Sequence, residues 1–221
     1  HEKQAFAVNC DLAQSYAKIA HDRGLPFVHI STDHLFDGSH PMAAETLLCE
    51  PINSYGRSKW LGELAVLKAH PSALVLRVNF FGWGAPFRPS FSDWILNNLG
   101  QASKVTLYGN VYFTPLYVGD LVMLSHQLIE KGAKGVYNVT SSERLSKYDF
   151  GVKLSKAFGY PSDAILYSLY DSKQGTPRPL DMSLNNAKTL DFLDIDNLTI
   201  DDAIVKLVAN KHLKKNFSSI D

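Results

Sequence analysis

Two short apolar runs, PFVHI at 26–30 and ALVLRV at 73–78, constrain this 221-residue chain more than anything else in it. Neither alternates polar with apolar residues, which marks strands covered on both faces, as in a parallel sheet. A helical pattern precedes each run. From Glu2 to about His21, residues Ala5, Phe6, Asn9, Leu12, Ala13, Tyr16, Ala17 and Ala20 fall on one expected buried stripe, closed by Gly24. A second helix is expected from about Ser54 to Ala69, ended by Pro71. Between the first strand and that helix, residues 33–53 hold Gly38, Pro41 and Pro51 and read as a loop. Helix–strand–loop–helix–strand is the rhythm of a doubly wound α/β sheet. Two strands are too few for one, so further strands are expected to precede residue 1. A compact two-layer fold of another kind is the alternative.

Beyond Gly84 the texture is mixed. Helices are expected at Phe91–Leu99, Asp120–Lys131, Lys147–Phe158, Asn185–Phe192 and Thr199–Asn210, with strands at Lys104–Tyr108 and Gly135–Val139. Thr199 with Asp201 and Asp202 makes a good helix start, and the basic tail Lys211–Lys215 suits a helix end that frays. The expected organisation is residues 1–85 as part of a dinucleotide-binding domain. Residues 86–221 then form mainly a substrate-binding lobe, partly interleaved with the sheet.

Composition narrows the functional classes. Charged residues make up 20% of the chain and the formal net charge is +0, without the basic excess of a nucleic-acid binder. No apolar stretch approaches the roughly 18 residues that span a bilayer, and HEKQAFAVN does not read as a signal peptide. Cys10 and Cys49 read as small buried hydrophobes with reduced thiols, and the expected location is cytoplasmic. No basic residue sits close to either in sequence to activate it. His34 and His40 lack a third ligand for zinc, and no G-x-S-x-G elbow is present.

The residues with the clearest chemistry are Ser31-Thr32-Asp33 and Tyr55-x-x-x-Lys59. Four residues apart on a helix, Tyr55 and Lys59 share a face. A phenol ordinarily titrates at about 10, and a neighbouring ammonium favours the phenolate, which is what proton transfer near neutrality requires. Alone, the spacing is near chance in a chain with 10 tyrosines. Its context adds weight, because a parallel strand delivers its C-terminal residues to the ligand crevice, and Thr32 and Asp33 end such a strand. A turn or cap after the strand is the alternative for those two. The aromatic run Phe80, Phe81, Trp83, Phe87, Phe91 and Trp94 either lines a sugar or base site or is core.

HISTDHLFDG (29–38), PINSYGRSKWLGE (51–63), LRVNFFGWG (76–84) and the late segment GTPRPLDMSLNNAKT (175–189) occur in that order. Together they resemble the extended short-chain dehydrogenase/reductase superfamily. The likeness is greatest to the dTDP-4-dehydrorhamnose reductase branch, which includes the methionine adenosyltransferase beta subunit. The resemblance implies a Rossmann-like doubly wound parallel sheet with a smaller mixed α/β substrate-binding lobe, and NADPH or NADH as cofactor. It implies Tyr55 as proton donor to a reduced keto oxygen, Lys59 as its tuner and a ribose ligand, and Thr32 as an assisting hydroxyl. Asn9, Ser31, Tyr55 and Lys59 would border the cofactor. Thr32, Asp33, His34, Phe80 and Arg178 would touch a nucleotide-sugar substrate, with Asn9 as a core amide and Arg178 as a surface residue the alternatives. His34 stands where the branch usually carries tyrosine, and Phe80 where the rhamnose-pathway reductases carry tryptophan. None of the 14 glycines forms the pyrophosphate-binding G-x-G-x-x-G or G-x-x-G-x-x-G pattern, so that loop is expected upstream.

The implied function is reduction of the 4-keto group of a nucleotide-linked deoxysugar. Epimerisation or dehydration with recycled NAD is an alternative, as is a non-catalytic regulatory subunit of the same fold. No metal, nucleic-acid partner or membrane is implied. A homodimer is compatible with the resemblance, although sequence alone does not set the oligomeric state.

Overall fold

The computed structural model describes residues 2–85, 87–171 and 177–212. Gly175 and Thr176 of the late segment, and the expected basic tail beyond His212, lie outside the described residues. Helix α1 (Glu2–Phe6) runs through a π-helical turn (Ala7–Leu12) into α2 (Ala13–Asp22), followed by β1 (Val28–Ile30), α3 (Ser54–Ala69), β2 (Leu74–Arg77) and β3 (Phe80–Phe81). Then come α4 (Phe91–Gly100), β4 (Val105–Tyr108), β5 (Tyr112–Phe113), β6 (Leu116–Tyr117), α5 (Val118–Glu130) and β7 (Gly135–Asn138). The chain continues through β8 (Leu145–Ser146), α6 (Lys147–Ala157), a 3-10 turn (Ser162–Ala164), β9 (Ile165–Ser168), α7 (Ala187–Leu193) and α8 (Ile200–Ala209).

Strands β1, β2 and β7 form a parallel sheet in that order, with Val28 opposite Leu74 and Leu74 opposite Gly135. The apolar run of β2 is divided between two faces. Leu74, Leu76 and Val78 pack against Leu121, Leu124 and Leu128 of α5 and Leu193 of α7. Ala73 and Val75 face the other way, onto Ala17 of α2 and Val66 of α3. Each such leucine contributes about 1.5–3 kcal/mol by leaving water, so a central strand buried on both sides anchors everything attached to it. A second core gathers Phe81, Phe113, Phe150 and Leu154 with Ile204 and Leu207 of α8. Phe150 receives Phe81 and Phe113 edge-on, with centroids 5.0 and 5.6 Å away.

Helix α3 matches its expected bounds. The Asn53 side chain accepts the Gly56 N–H at 2.9 Å as an N-cap, and the helix ends at Ala69, before Pro71. The first helix departs from its expected stripe. Ala17 and Ala20 are buried, but Leu12 and Tyr16 are exposed. The small residues face α3 and set a close approach, which turns the bulkier ones outward. At Gly62 of α3 an added Cβ would stand 2.1 Å from the Asn9 carbonyl oxygen, a separation only glycine permits. The same π-helical turn leaves Cys10 half-buried, because Asn9 and not Cys10 faces α3; Cys49 is buried, and both thiols are free.

Arg77 ends β2 with a buried charge. Its Nη2 lies 2.8 Å from Oε2 of the buried Glu63 on α3, and its Nε bridges both carboxylate oxygens at 3.1 and 3.2 Å. Nη2 also donates to Cys49 Sγ at 3.2 Å, and the guanidinium lies over Phe36 at 5.6 Å. A basic group thus meets Cys49 in space although none does in sequence, yet burial still pushes that thiol's pKa up, ahead of the opposing pull of Arg77. Sheet, helix α3 and the 33–53 loop meet at this one cation. Arg77→Met leaves Glu63 buried and unpaired and is expected to cost about 3–5 kcal/mol in urea unfolding of the intact protein. Adding Glu63→Leu should recover part of that loss, because no uncompensated charge remains. A loss below about 1 kcal/mol in the single variant, the range of an ordinary surface change, would contradict the assignment.

Candidate active site

Residues Ser31 to Asp33 leave the C-terminal end of β1 and turn into the loop. Asp33 is buried, and its carboxylate is held from two sides. Thr32 Oγ1 donates to Oδ1 at 3.2 Å and Asn79 Nδ2 donates to Oδ2 over a short distance. Thr32 Oγ1 in turn accepts the His34 N–H at 3.3 Å. Burial pushes the His34 imidazole below its usual pKa, against the pull of Asp33, so its 3.9 Å approach to Asp33 is that of a neutral ring. The same ring meets Tyr55 edge-on at 5.7 Å. Gly56, beside Tyr55, permits this contact, since a Cβ there would stand 2.2 Å from the His34 carbonyl oxygen.

Tyr55 opens α3 and is about half exposed, its relative accessibility being 49%. Lys59, one turn on, is half-buried and donates from Nζ to the Ile30 carbonyl at 2.6 Å, at the end of the same strand. Burial lowers its pKa, and the negative charge of Glu63 opposes that shift. Ser31 is buried with its hydroxyl unpartnered among the described residues. Asn9 packs behind the helix. Its Nδ2 donates to Ser58 Oγ at 3.0 Å, and Ser58 Oγ donates to the Tyr55 carbonyl at 2.8 Å. Asn9 therefore reaches Tyr55 through the backbone of α3.

The fold thus brings Thr32, Asp33, His34, Tyr55 and Lys59 to one end of β1, but it does not link them in one chain of hydrogen bonds. The hydroxyl of Thr32 is engaged by Asp33 and His34, and the ammonium of Lys59 by Ile30. Phe80 opens β3 and is half exposed, opposite Leu116. Arg178 is exposed and lines a cavity of about 460 Å³ with His34, Phe91, Trp94, Tyr108, Lys147 and Tyr170. The aromatic run from 80 to 94 divides between roles. Phe81 is core, Phe87 is exposed, and Phe91 and Trp94 stack at 6.2 Å on the cavity wall. A larger cavity, about 620 Å³, lies between α5, α7 and α8, is lined by five aspartates and includes none of these residues.

Two further residues belong to the region. Asn79 follows β2 at the same end of the sheet as Asp33, so its polar side chain after LRV is a signal the sequence carried. Lys147 gave none. Ser146 and Asp149 form a capping box that places Lys147 at the first position of α6. Its Nζ lies 3.3 Å from the Phe113 ring centroid and 4.9 Å from that of Phe91. Burial lowers its pKa to about 8, with Asp33 opposing and Arg178 adding to the shift. Among the described residues no group of three or more His, Cys, Asp and Glu is placed to hold a metal, and no helix is long and apolar enough to cross a membrane.

A parallel sheet with helices on both faces and polar residues at its C-terminal strand ends defines a Rossmann-like α/β fold. Residues 1–212 match the family model described as RmlD substrate binding domain. The chain belongs to that family. It is 31% identical to the probable low-salt glycan biosynthesis reductase Agl14 of Haloferax volcanii, over 93% of this chain and 70% of that protein. It is 27% identical to methionine adenosyltransferase 2 subunit beta of Xenopus laevis, over 83% of this chain and 57% of that protein. The solved structure of dTDP-4-dehydrorhamnose reductase from Bacillus anthracis in complex with NADP superposes with a TM-score of 0.87 at 21% identity. It covers 95% of this chain and 74% of that one, and at that identity the likeness is one of fold.

One buried base beside the site gives a pH test. His29 of β1 is buried, its Nε2 has no partner among the described residues, and burial, aided by the charge of Lys59, lowers its pKa from 6.5 to about 4. Between those values the unfolded chain binds more protons than the folded one. Stability therefore falls as pH drops from about 6.5 to about 4, by about 2–3 kcal/mol from this residue, and levels off below. Urea unfolding across that range should show a shallower decline in His29→Gln. An unchanged slope would contradict the assignment.

Proposed function

We propose that the protein is an NADPH- or NADH-dependent reductase of the 4-keto group of a nucleotide-linked deoxysugar. The carrying observation is the convergence of Thr32, Asp33, Tyr55 and Lys59 at the C-terminal end of β1, beside a cavity of about 460 Å³. The Haloferax reductase among its relatives supports the same reading. On this account residues 1–85, with β7, form the cofactor side, and residues 86–221 mainly the substrate side.

The residues present suit a nicotinamide nucleotide. Ser31 offers a buried hydroxyl with no partner among the described residues, and Lys59 holds an ammonium at the same strand end. Ser31, Tyr55 and Lys59 would hold the ring and its ribose, with Asn9 setting the position of α3 from behind. When bound, the reduced cofactor supplies the hydride. Tyr55 gives its phenolic proton to the carbonyl oxygen, and the positive charge of Lys59 one turn away favours the oxyanion left on the ring. Thr32 contacts the same sugar oxygen by turning its hydroxyl from Asp33. Asp33, held by Asn79, accepts from a sugar hydroxyl, while His34, Phe80 and Arg178 border the rest of the substrate.

The likeness to the methionine adenosyltransferase beta subunits favours a regulatory subunit as the second reading, and the intact Tyr55/Lys59 pair argues against it. The test is turnover of dTDP-4-keto-6-deoxy sugars by the full-length protein with NADPH or NADH. Tyr55→Phe is expected to lower kcat by roughly 10²–10⁴-fold with little change in KM. Unchanged activity would remove Tyr55 from the mechanism. Product formed without net consumption of the reduced cofactor would replace reduction by epimerisation or dehydration. A co-purifying enzyme with no reductase activity would favour the regulatory reading.

A further inference from the structure

We propose that the Nε2–H of His34 and the carboxylate of Asp33 together recognise the 3-hydroxyl of the sugar, and that His34 thereby selects 3-hydroxy over 3-deoxy substrates. The proposal rests on the reading of the site as one for a 4-keto sugar, and it names the group beside the carbonyl that the chain recognises.

His34 is held in place from three sides. Its backbone N–H donates to Thr32 Oγ1 at 3.3 Å, α3 closes on its carbonyl at Gly56, and its ring stands edge-on to Tyr55 with centroids 5.7 Å apart. A ring fixed in this way is a preformed contact. Its side chain keeps 24% of its surface and lines the cavity of about 460 Å³, so a ligand meets it from there. Burial, with the charges of Lys147 and Arg178, keeps the ring neutral against the pull of Asp33. A neutral imidazole has one N–H and one bare nitrogen. Nδ1 is enclosed without a partner among the described residues, and Nε2 lies 3.9 Å from Asp33 Oδ1. The carboxylate favours the ring proton on Nε2, so a donor and an acceptor face one another.

The two do not bond directly, since 3.9 Å exceeds a hydrogen-bond length. Two hydrogen bonds of about 2.8 Å that meet at one oxygen span about 4–4.6 Å, and the gap lies at the lower edge of that span. A hydroxyl seated there accepts from Nε2 and donates to Oδ1, whose contact with Thr32 uses one of its two lone pairs. A hydrogen atom in its place leaves both groups unpaired, and an ammonium cannot accept. Asn79 fixes the acceptor by donating to the other carboxylate oxygen. Asp33 is itself buried, so His34 is the part of the pair that a ligand meets first. Sugar chemistry supplies the position. In a 4-keto-6-deoxyhexopyranose C3 carries a hydroxyl, whereas C5 carries a methyl group and the ring oxygen. With the C4 oxygen at Tyr55, the hydroxyl beside it is the one on C3, and His34 is the ring in contact with Tyr55.

The test is calorimetric binding, without cofactor, of dTDP-4-keto-6-deoxyglucose and its 3-deoxy analogue to the full-length protein and to His34→Phe and His34→Gln. Phenylalanine keeps a ring against Tyr55 and removes the N–H, while glutamine restores an N–H donor on a side chain of similar reach. The unaltered protein is expected to bind the 3-hydroxy sugar roughly 10- to 100-fold more tightly than the analogue, the usual range when buried polar groups are left unpaired. His34→Phe should lose that preference by weakening the 3-hydroxy sugar alone, and His34→Gln should keep part of it. Equal affinity of the unaltered protein for the two sugars would overturn the proposal. So would a preference that persists in His34→Phe, or an equal weakening of both sugars there, which would mark a packing role. Binding of both sugars without preference defeats this proposal alone, whereas binding of neither defeats the reading of the site with it.

Discussion

Arg77 ends the most deeply buried strand of the sheet, and its guanidinium is the point at which three parts of the molecule are fixed to one another. Glu63 brings α3 to it, Cys49 and Phe36 bring the long loop after β1, and the strand itself brings the sheet. The pair is costly to bury, and its value lies in position more than in net stability. Glu63 stands one helical turn beyond Lys59, and Lys59 one turn beyond Tyr55. Fixing Glu63 therefore fixes the face on which both lie. The loop held on the other side begins with Asp33 and His34. Close backbone approaches at Gly56 and Gly62 then leave α3 little freedom to slide against the loop or the first helix.

Upon that frame the site divides its charges. Asp33 is buried and satisfied by Thr32 and Asn79, and His34 is neutral beside it. Lys59 is bound to the strand end at Ile30, while Lys147 and Arg178 line the cavity beside His34. The larger cavity, between α5, α7 and α8, is lined instead by five aspartates.

Much of this was legible in the sequence because its signals are local. The runs at 26–30 and 73–78 became parallel neighbours, and α3 spans the expected Ser54–Ala69, ending before Pro71. Gly135–Asn138 is the third strand of the same sheet, which shows the chain returning from its later half to the first layer. Other features depend on partners distant in sequence. Strands of two residues, such as β3, β5, β6 and β8, have no period to detect. The exposure of Leu12 and Tyr16 follows from how closely Ala17 and Gly62 let two helices approach. The contact of Arg77 with Cys49 spans 28 positions, and Lys147 reads in sequence only as the first residue of an expected helix. Tyr55 and Lys59 needed the end of β1 to distinguish them from a chance spacing.

The central claim is that the C-terminal end of β1 holds the reacting carbonyl, with Tyr55 as its proton donor. The most direct measurement is a crystal structure of the full-length protein with NADP and a dTDP-linked 6-deoxyhexose product. The account predicts the C4 hydroxyl oxygen of the sugar within hydrogen-bond distance of the Tyr55 hydroxyl, with Thr32 beside it and the nicotinamide next to Ser31 and Lys59. A sugar bound with C4 away from Tyr55, or a cofactor seated elsewhere on the fold, would contradict it.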